Sequence, residues 1–419
     1  MQSTTYDAII IGGGPGGSSA ATFLARAGRR ALVLEKEHFP RFHIGESLLP
    51  YNRRLFADMG VLDKLEAAGF VRKFGAQFHL GNGSKATKFV FREGRFTREP
   101  EAMQVERAHF DELLLRHAEE SGADVREGWT VGSFVSDTDG VAIEAKNGSG
   151  ETHKFRGRFL IDASGRGNMT GNQEGLREIH PRLKKLAVFG HFSGVQVDEG
   201  PKAGDTIIVR LEDKWFWLIP LNRDKVSVGC VLDKEEFAVA REDAGKLFHR
   251  LVQSSAVMRE RMSASKLLMP IQTTTDFSYR NRRFVGQRLL RVGDAAGFMD
   301  PIFSAGVYLA MYSGRLAATA VAESLGANDD GRLRLEAYER RVVDAMKFYW
   351  EMVENFHTTP FMEVFLEPRH RFSLPAAVNA VLAGELEGRW SMRWRMRLFF
   401  TIVKLQRRWP LVPRIAFAL

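Results

Sequence analysis

The chain has 419 residues, of which 44% are hydrophobic and 26% charged, and a net charge of +9, a balance typical of a soluble protein with two or three packed subdomains. Its single cysteine, Cys230, excludes an internal disulfide framework and a thiolate metal cluster and fits a reducing compartment. We find neither a signal peptide nor an apolar run of the roughly 18 residues that a membrane span needs, so we expect a cytoplasmic protein without a bound metal.

The first 35 residues predict a strand, a glycine-rich turn, a helix and a second strand. Residues 6–11 and 30–35 are apolar enough for buried strands, and residues 18–28 between them have helical spacing that ends at a glycine. Two strands joined in this way pair in parallel through a right-handed crossover. The chain therefore opens as a nucleotide-binding α/β fold.

Further along, the pattern divides between two kinds of structure. Alternating segments at residues 78–96 and 188–232 predict a second, mostly antiparallel sheet. A helix at 106–121, strands at 159–163 and 288–294 and a helix at 305–325 return to the first fold. We therefore predict a discontinuous Rossmann-like domain (1–75, 101–170 and 285–332), an inserted β-sheet substrate domain (76–100 and 171–284) and a basic helical C-terminal region (333–419).

The glycine turn matches the dinucleotide fingerprint G-x-G-x-x-G through Gly12, Gly14 and Gly17. The first glycine permits the tight turn, the second lets the backbone approach a pyrophosphate, and the third lets helix and strand pack closely. Glu35 ends the next strand about 20 residues on, where a carboxylate can accept hydrogen bonds from ribose hydroxyls. Both FAD and NAD use this fingerprint, so it does not choose between them.

Three later motifs resemble those of the aromatic-hydroxylase superfamily of flavoproteins. The segment 291–297 (RVGDAAG) is similar to its second flavin motif, whose aspartate, here Asp294, binds the ribityl chain. The segment 162–166 (DASGR) is similar to its intermediate motif, and Arg107 matches an arginine that contacts the flavin. The resemblance implies FAD as the cofactor of the Rossmann-like domain.

The same chain resembles the flavin-dependent halogenases more specifically. Residues 215–220 (WFWLIP) are an intact W-x-W-x-I-P, and residues 39–50, which include Arg41, Glu46 and Ser47, resemble the segment that follows the first flavin motif. Lys73 stands where that family has its reactive lysine, and residues 300–307 (DPIFSAGV) resemble its halide and flavin segment. The similarity covers most of the first 330 residues.

This resemblance implies that reduced FAD, O2 and chloride or bromide yield hypohalous acid, which Lys73 passes to an aromatic substrate. It places Glu46 with Lys73 as catalytic, Arg41, Ser47 and Gly306 at the cofactor, and the backbone N–H groups of residues 304–306 (Ser304, Ala305, Gly306) at the halide. The rings of Trp215, Trp217 and Phe303 would line the passage to the substrate. Because the sequence has no second nucleotide fingerprint, we expect a separate flavin reductase to supply the reduced cofactor.

Each of these residues also has an ordinary structural interpretation. A lysine at a strand edge, as Lys73 is predicted to be, is usually solvated. Trp215 and Trp217 alternate along a strand and could be core aromatics, and Glu46 could begin a helix, where a carboxylate suits the dipole. His43 could be a packing histidine, and we assign it no function.

One departure from the family pattern bears on the substrate. Tryptophan halogenases have a glutamate just before the serine of the halide segment, and this chain has Phe303 there. Since a phenyl ring cannot accept a proton, we expect a phenol or pyrrole, whose own heteroatom activates the ring, as in relatives that act on carrier-tethered substrates. A second departure, Ala305 in place of serine, should matter little if backbone amides bind the halide.

The C-terminal region is basic and aromatic. No acidic residue follows Glu387, whereas eight basic residues do, beginning with Arg389. The ordinary interpretation is a solvated helix face. The alternative is a docking surface for an acidic carrier protein or an anionic membrane. We do not expect nucleic acid as a partner, because no recognition motif accompanies the charge.

Three other functions share parts of this pattern. An aromatic monooxygenase would have every flavin motif without the lysine or W-x-W-x-I-P. A reductase similar to the geranylgeranyl reductases would explain an apolar, basic C-terminal region. A flavin-binding scaffold without turnover would need none of the reactive residues.

Overall fold

The computed structural model of the chain describes residues 5–367, 371–386 and 390–417. The strands are β1 (Thr5–Ile11), β2 (Ala31–Glu35), β3 (Val71–Lys73), β4 (Gly75–Leu80), β5 (Ala86–Val90), β6 (Ala102–Gln104), β7 (Asp124–Glu127), β8 (Thr130–Ser136), β9 (Val141–Lys146), β10 (Thr152–Asp162), β11 (Arg177–Ser193), β12 (Thr206–Arg210), β13 (Trp215–Pro220), β14 (Val226–Asp233), β15 (Lys266–Leu267), β16 (Gln272–Asn281), β17 (Val285–Gly286), β18 (Leu289–Arg291) and β19 (Gly297–Phe298). The α-helices are α1 (Pro15–Arg26), α2 (Asn52–Met59), α3 (Leu62–Ala67), α4 (Arg107–Glu120), α5 (Met169–Gln173), α6 (Lys234–Ala240), α7 (Ala244–Gln253), α8 (Ala256–Arg261), α9 (Gly306–Ala327), α10 (Arg332–Phe356), α11 (Thr359–Phe365), α12 (Leu374–Ala383) and α13 (Trp390–Gln406).

The first sheet has the predicted βαβ unit at its centre. Its order is β17-β18-β10-β1-β2-β7, and β1 pairs in parallel with both β2 and β10. Both faces of this sheet are buried: Ile10 packs in the main core with α1 and α9, and Ile9 packs in a smaller core with residues of β8 and β9 such as Phe134 and Ile143. The α/β class with a Rossmann-like first sheet is confirmed.

The helix after the glycine turn begins earlier than predicted. We expected it at residue 18, but α1 begins at Pro15, so Gly16 and Gly17 lie in its first turn. Proline suits this position because its fixed φ is helical and its missing N–H has no partner there anyway. The strand predicted at residues 159–163 is also longer, since β10 runs from Thr152 to Asp162 and pairs with β9 over its first half.

The second sheet is mostly antiparallel, in the order β19-β16-β11-β14-β13-β12-β4-β5. The exception is β4, which lies parallel to β12. Alternate residues of β13 pack into two different cores. Trp215 and Trp217 lie in the main core of the molecule, and Phe216 lies in a smaller core under α7 and α8. The limits predicted for the domains stay a prediction.

The last part of the chain is helical, as predicted. One face of α13 is buried against α11 and α12 through residues such as Phe399 and Val403, while Arg393, Arg397 and Lys404 lie on its exposed face. The acidic and basic residues that mark the start of the basic region, Glu387 and Arg389, lie outside the described residues. No helix in the described ranges has the length and apolarity to cross a bilayer.

Candidate active site

The glycine turn has the shape that a dinucleotide needs. Gly12 has a φ of +97°, and a Cβ on it would lie 2.5 Å from the carbonyl oxygen of Ala163. A Cβ on Gly17 would lie 1.9 Å from the carbonyl oxygen of Gly12, so helix and strand approach as closely as the fingerprint requires. The space in front of Gly14 is open, the nearest atom to a Cβ there being a guanidinium nitrogen of Arg41 at 3.6 Å.

Glu35 ties the end of β2 to this turn. Its Oε2 accepts a hydrogen bond from the backbone N–H of Gly13 at 2.6 Å, and its Oε1 accepts one from the N–H of Glu37 at 2.9 Å. Each carboxylate oxygen has a second lone pair that can accept a hydroxyl. The side chain therefore fits a ribose while it also fixes the glycine turn.

Asp294 offers a second group suited to FAD. It lies just after β18, and its carboxylate forms no hydrogen bond to any residue in the described ranges. Burial raises the pKa of Asp294 to about 6, and the positive charges of Arg166 and Arg107 oppose that rise. The carboxyl group of Asp294 is half-buried and has no protein donor in the described ranges, so this position fits the hydroxyl groups of a ribityl chain.

A buried aspartate holds the two arginines that we assigned to the cofactor. Asp111 accepts hydrogen bonds from Nε and Nη2 of Arg107 at 2.7 and 2.8 Å, and from Nη1 of Arg41 at 3.0 Å. Arg107 also donates through Nη1 to the carbonyl oxygen of Ile44 at 2.8 Å. The sequence analysis missed Asp111, although its position one helical turn after Arg107 on α4 was a usable signal.

The predicted halide segment ends at the start of the long helix α9. Ser304 adopts a left-handed conformation with φ of +57°, Ala305 precedes the helix, and Gly306 is its first residue. The first N–H groups of an α-helix have no acceptor within the helix, and their dipole attracts anions. Gly306 is exposed, and a Cβ on it would meet no atom within 4 Å, so the first residue of α9 is open to solvent. The N–H of Ser304, by contrast, already donates to the carbonyl oxygen of Pro301 at 2.9 Å.

Lys73 is buried, which contradicts the solvated interpretation. It ends β3, whose only partner in the described chain is β6, and its side chain is 2% exposed. Its Nζ donates to Oγ of Ser47 at 2.8 Å and to the carbonyl oxygen of Leu48 at 3.1 Å. Burial lowers the pKa of Lys73 to about 7, opposed by the charge of Asp205. Lys73 is thus a buried amine held by neutral acceptors.

Lys73 and the predicted halide segment line the same narrow cavity. This space, about 10 Å³, is bordered by Lys73, Phe78, Thr206, Phe303 and Ser304, among others. That volume is close to the space that one water molecule needs. The sequence analysis missed Thr206, whose hydroxyl lies 2.8 Å from that of Ser47 and extends the polar lining next to the amine.

Glu46 is paired with a histidine that the sequence analysis also missed. Its Oε1 lies 2.7 Å from Nε2 of His191 on β11, and both residues are buried. Glu46 does not begin a helix, because α2 starts only at Asn52. Its carboxylate therefore joins the segment after the first flavin motif to the second sheet, and a catalytic function for it stays a prediction.

The tryptophans of W-x-W-x-I-P are packed inside the main core. The ring centroids of Trp215 and Trp217 lie 5.9 Å apart, and Trp217 donates through Nε1 to Oγ of Ser227 at 3.1 Å. A Cβ on Gly229 would lie 2.3 Å from the ring of Trp217, so only glycine fits there. Trp217 also contacts Phe189. These contacts agree with a structural function, and the lining of a substrate passage by Trp215 and Trp217 stays a prediction.

Comparisons with known proteins agree with the flavin motifs. Residues 5–355 match the family described as FAD binding domain. The chain is 30% identical over 400 residues to a 1H-pyrrole-2-carbonyl peptidyl-carrier-protein chlorinase of Pseudomonas fluorescens, covering 89% of each protein. It is 32% identical over 360 residues to the corresponding brominase of Pseudoalteromonas luteoviolacea, covering 83% of this chain and 86% of that one.

The fold comparison points the same way. The structure of the flavin-dependent brominase Bmp2 superposes with a TM-score of 0.86 at 28% identity and covers 97% of this chain and 100% of that chain. The match over nearly the whole of both chains includes the C-terminal helices, where the sequence resemblance was weakest. FAD is therefore the cofactor, and the chain belongs to the FAD-binding domain family and, within it, to the flavin-dependent halogenases.

Proposed function

We propose that this enzyme halogenates an electron-rich phenolic or pyrrolic ring, and that the amine of Lys73 carries the halogen from the oxidant to that ring. The observation that supports this most strongly is the shared cavity: the Lys73 amine, Phe303 and Ser304 border one narrow space. An amine placed between the halide segment and the substrate side can intercept an oxidant before it escapes.

Bound FAD, when reduced, supplies the electrons for O2, and with a halide ion the product is hypohalous acid. The neutral amine of Lys73 then forms a nitrogen–halogen bond, and water leaves. In the second step an aromatic carbon takes the halogen, the ring loses its proton, and the free amine is restored. A pKa of about 7 makes the neutral amine available near neutral pH, whereas an ordinary lysine would be almost wholly protonated.

The halide would lie at the start of α9. The backbone N–H groups of Ala305 and Gly306 and the helix dipole favour an anion there, whereas the N–H of Ser304 already donates to the carbonyl oxygen of Pro301. Phe303 beside them adds no competing negative charge. Either chloride or bromide fits this chemistry.

The substrate class is inferred from Phe303, which lines the cavity of the amine at the position where a carboxylate could assist the reaction. Phe303 cannot assist the attacking ring, so the ring must bring its own donor, as a phenol or a pyrrole does. The pyrrole carrier-protein chlorinase and brominase to which the chain is similar support this choice. Because both relatives act on a substrate bound to a peptidyl carrier protein, they also support delivery of the substrate of this enzyme on a carrier protein.

A basic stripe on α13 suits such a carrier. We define the stripe as Arg393, Arg397 and Lys404, with Trp390 exposed at its start. Carrier proteins that are acidic would be attracted to it at a distance. Reversal of Arg393 and Arg397 to glutamate should weaken binding of an acidic carrier protein, whereas binding of anionic vesicles in its place would favour a membrane partner.

The test uses purified enzyme with FAD, a separate flavin reductase, O2, bromide and resorcinol. Bromination should be lost in Lys73→Ala, by at least about 100-fold, while FAD binding and O2 consumption persist. Lys64→Ala, which removes an exposed lysine on α3, is the matched control and should leave bromination unchanged. A hydroxylated product in place of a brominated one would instead support a monooxygenase, and saturation of an isoprenoid without O2 would support a reductase.

A further inference from the structure

A second, larger cavity lies among the C-terminal helices. It has a volume of about 240 Å³ and is bordered by β5, α11, α12, α13 and the segment after α13. Among the residues of the described ranges that line it, eleven are apolar and the twelfth is Glu367. The carboxylate of Glu367 is bound to Nζ of Lys85 at 2.7 Å, so its charge is already paired.

The chemistry of this lining selects an uncharged apolar ligand. A charged group or an amide entering the cavity would lose its water and meet almost no polar side chain in return. The size suits more than a single ring, because an engineered apolar cavity of about 150 Å³ already binds benzene. An aryl ring with a short alkyl chain, or the chain alone, would fill the space.

The cavity lies next to the space that contains the amine. Phe78 borders the narrow cavity of Lys73, and Phe365 borders the apolar cavity. The two rings meet edge to face with their centroids 4.8 Å apart. This pair of rings lies between the two spaces, so a ligand that reaches from one to the other requires one of the rings to turn.

The other end of the cavity reaches the surface. Phe372 and Leu411 both line it, and they are 64% and 41% exposed. A ligand can therefore enter without opening the core. Large apolar side chains at a cavity mouth are characteristic of sites that take up apolar molecules.

We propose that this cavity binds the uncharged alkyl chain or aryl group attached to the ring that is halogenated. The inference rests on the proposed function for its link to Lys73, and it names the substrate class more narrowly: a lipophilic substituted phenol or pyrrole. The apolar substituent occupies this cavity. Because the narrow cavity has space for about one water molecule, the reactive ring reaches the amine only when Phe78 or Phe365 turns aside.

Binding of 4-hexylphenol to the FAD-loaded enzyme, measured by calorimetry, tests the site without any turnover. Val378 is buried and borders the cavity, so Val378→Phe should fill it and raise the Kd at least about tenfold. Ile402→Phe, at a half-buried lining position, is a second filling variant with less risk to folding. Val239→Phe, at a 79% exposed position on α6, is the matched control and should bind as the unaltered protein does.

Bromination then connects the site to the reaction. The unaltered enzyme should brominate 4-hexylphenol with a higher kcat/KM than phenol. Val378→Phe and Ile402→Phe should remove that preference, and Val239→Phe should retain it. Absence of saturable binding, or equal binding in both filling variants, would overturn the inference. Binding that is lost in the filling variants, in an enzyme that brominates no phenol at all, would instead count against the proposed function and leave the cavity assignment standing.

Discussion

The Nζ atom of Lys73 donates a hydrogen bond to Oγ of Ser47, 2.8 Å away in the interior of the protein. In the described chain no carboxylate lies within hydrogen-bonding distance of this amine, so Ser47 and the carbonyl oxygen of Leu48 are its direct acceptors. Two neutral acceptors stabilise an ammonium group less than an ion pair does. The pKa of Lys73 is therefore set mainly by burial.

Ser47→Ala should lower that pKa further. The substitution removes an acceptor that favours the charged amine, and a hydrogen bond to a charged group contributes about 1.5 kcal/mol, or about one pH unit. We expect bromination by the unaltered enzyme to rise with pH to a midpoint near 7, and the midpoint of Ser47→Ala to lie about one unit lower. The measurement is the pH dependence of bromination of 1,3,5-trimethoxybenzene, which does not itself titrate. Ser84→Ala, at an exposed turn, should leave the midpoint in place.

Lys73→Met should stabilise the fold, and more so at low pH. The pKa of the side chain falls from 10.5 in the unfolded chain to about 7 in the folded one, so the unfolded state binds the extra proton between these values. Stability of the unaltered protein therefore rises with pH from 7 towards 10.5, and the cost of the buried charge is greatest below pH 7. The advantage of Lys73→Met in free energy of unfolding should shrink by about 2 kcal/mol between pH 6 and pH 9.

Urea denaturation of the two FAD-loaded proteins at both pH values measures this difference. Lys64→Met, at an exposed position on α3, supplies the control and is measured at the same two pH values. An advantage that stays constant with pH would show that Lys73 keeps an ordinary pKa.

Glu46 should matter less to bromination than Lys73 does. Its carboxylate faces His191 at 2.7 Å, and Glu46→Gln can keep a hydrogen bond to that ring. We therefore expect kcat for bromination to fall by no more than about fivefold in Glu46→Gln, the equivalent of one weakened hydrogen bond. Glu46→Ala leaves the buried histidine without this partner and should cost about 1–3 kcal/mol of stability. A loss of kcat in Glu46→Gln as large as that in Lys73→Ala would show that Glu46 takes part in the chemistry.

Gly229→Ala should disturb the ring of Trp217. A Cβ there would lie 2.3 Å from two atoms of the Trp217 ring and 2.6 Å from Cβ of Phe189, so neither residue leaves space for a methyl group. Overpacking of this kind costs about 1–3 kcal/mol. Thermal denaturation followed by tryptophan fluorescence checks it, with Gly148→Ala, at an exposed position with no neighbour within 4 Å, as the control. Equal stability of the two variants would mean that the ring has space to move.

The sequence predicted the local elements better than the contacts between them. Strong periodicity and the glycine turn located β1, α1 and β2, and the i,i+4 relation of Arg107 and Asp111 could have been found in the same way. The burial of Lys73 could not have been predicted in this way, because β3 has only three residues and Thr206, which lines the cavity with Lys73, lies far along the chain. Likewise the partner of Glu46, His191, is 145 residues away, and no local pattern reports such a pairing.

The same limit applies to the second sheet. Alternation of apolar residues indicates strands but does not give their neighbours, so the parallel pairing of β4 with β12 had no signal in the sequence. That pairing matters to the site, because it places Phe78 on β4 beside Ile208 on β12 at the border of the narrow cavity. The basic stripe was visible in composition, but only the helix α13 shows that its members share an exposed face.

The function of Lys73 is tested most directly by the transfer of bromine from the protein to an aromatic substrate that is added afterwards. The enzyme with reduced FAD is mixed with O2 and bromide in the absence of any aromatic substrate, freed of small molecules by rapid gel filtration, and then given resorcinol. If the Lys73 amine carries the halogen, the unaltered protein will yield bromoresorcinol in this second step and Lys73→Ala will not. Bromoresorcinol from both proteins, or from neither while both brominate resorcinol present from the start, would contradict a lysine-bound halogen.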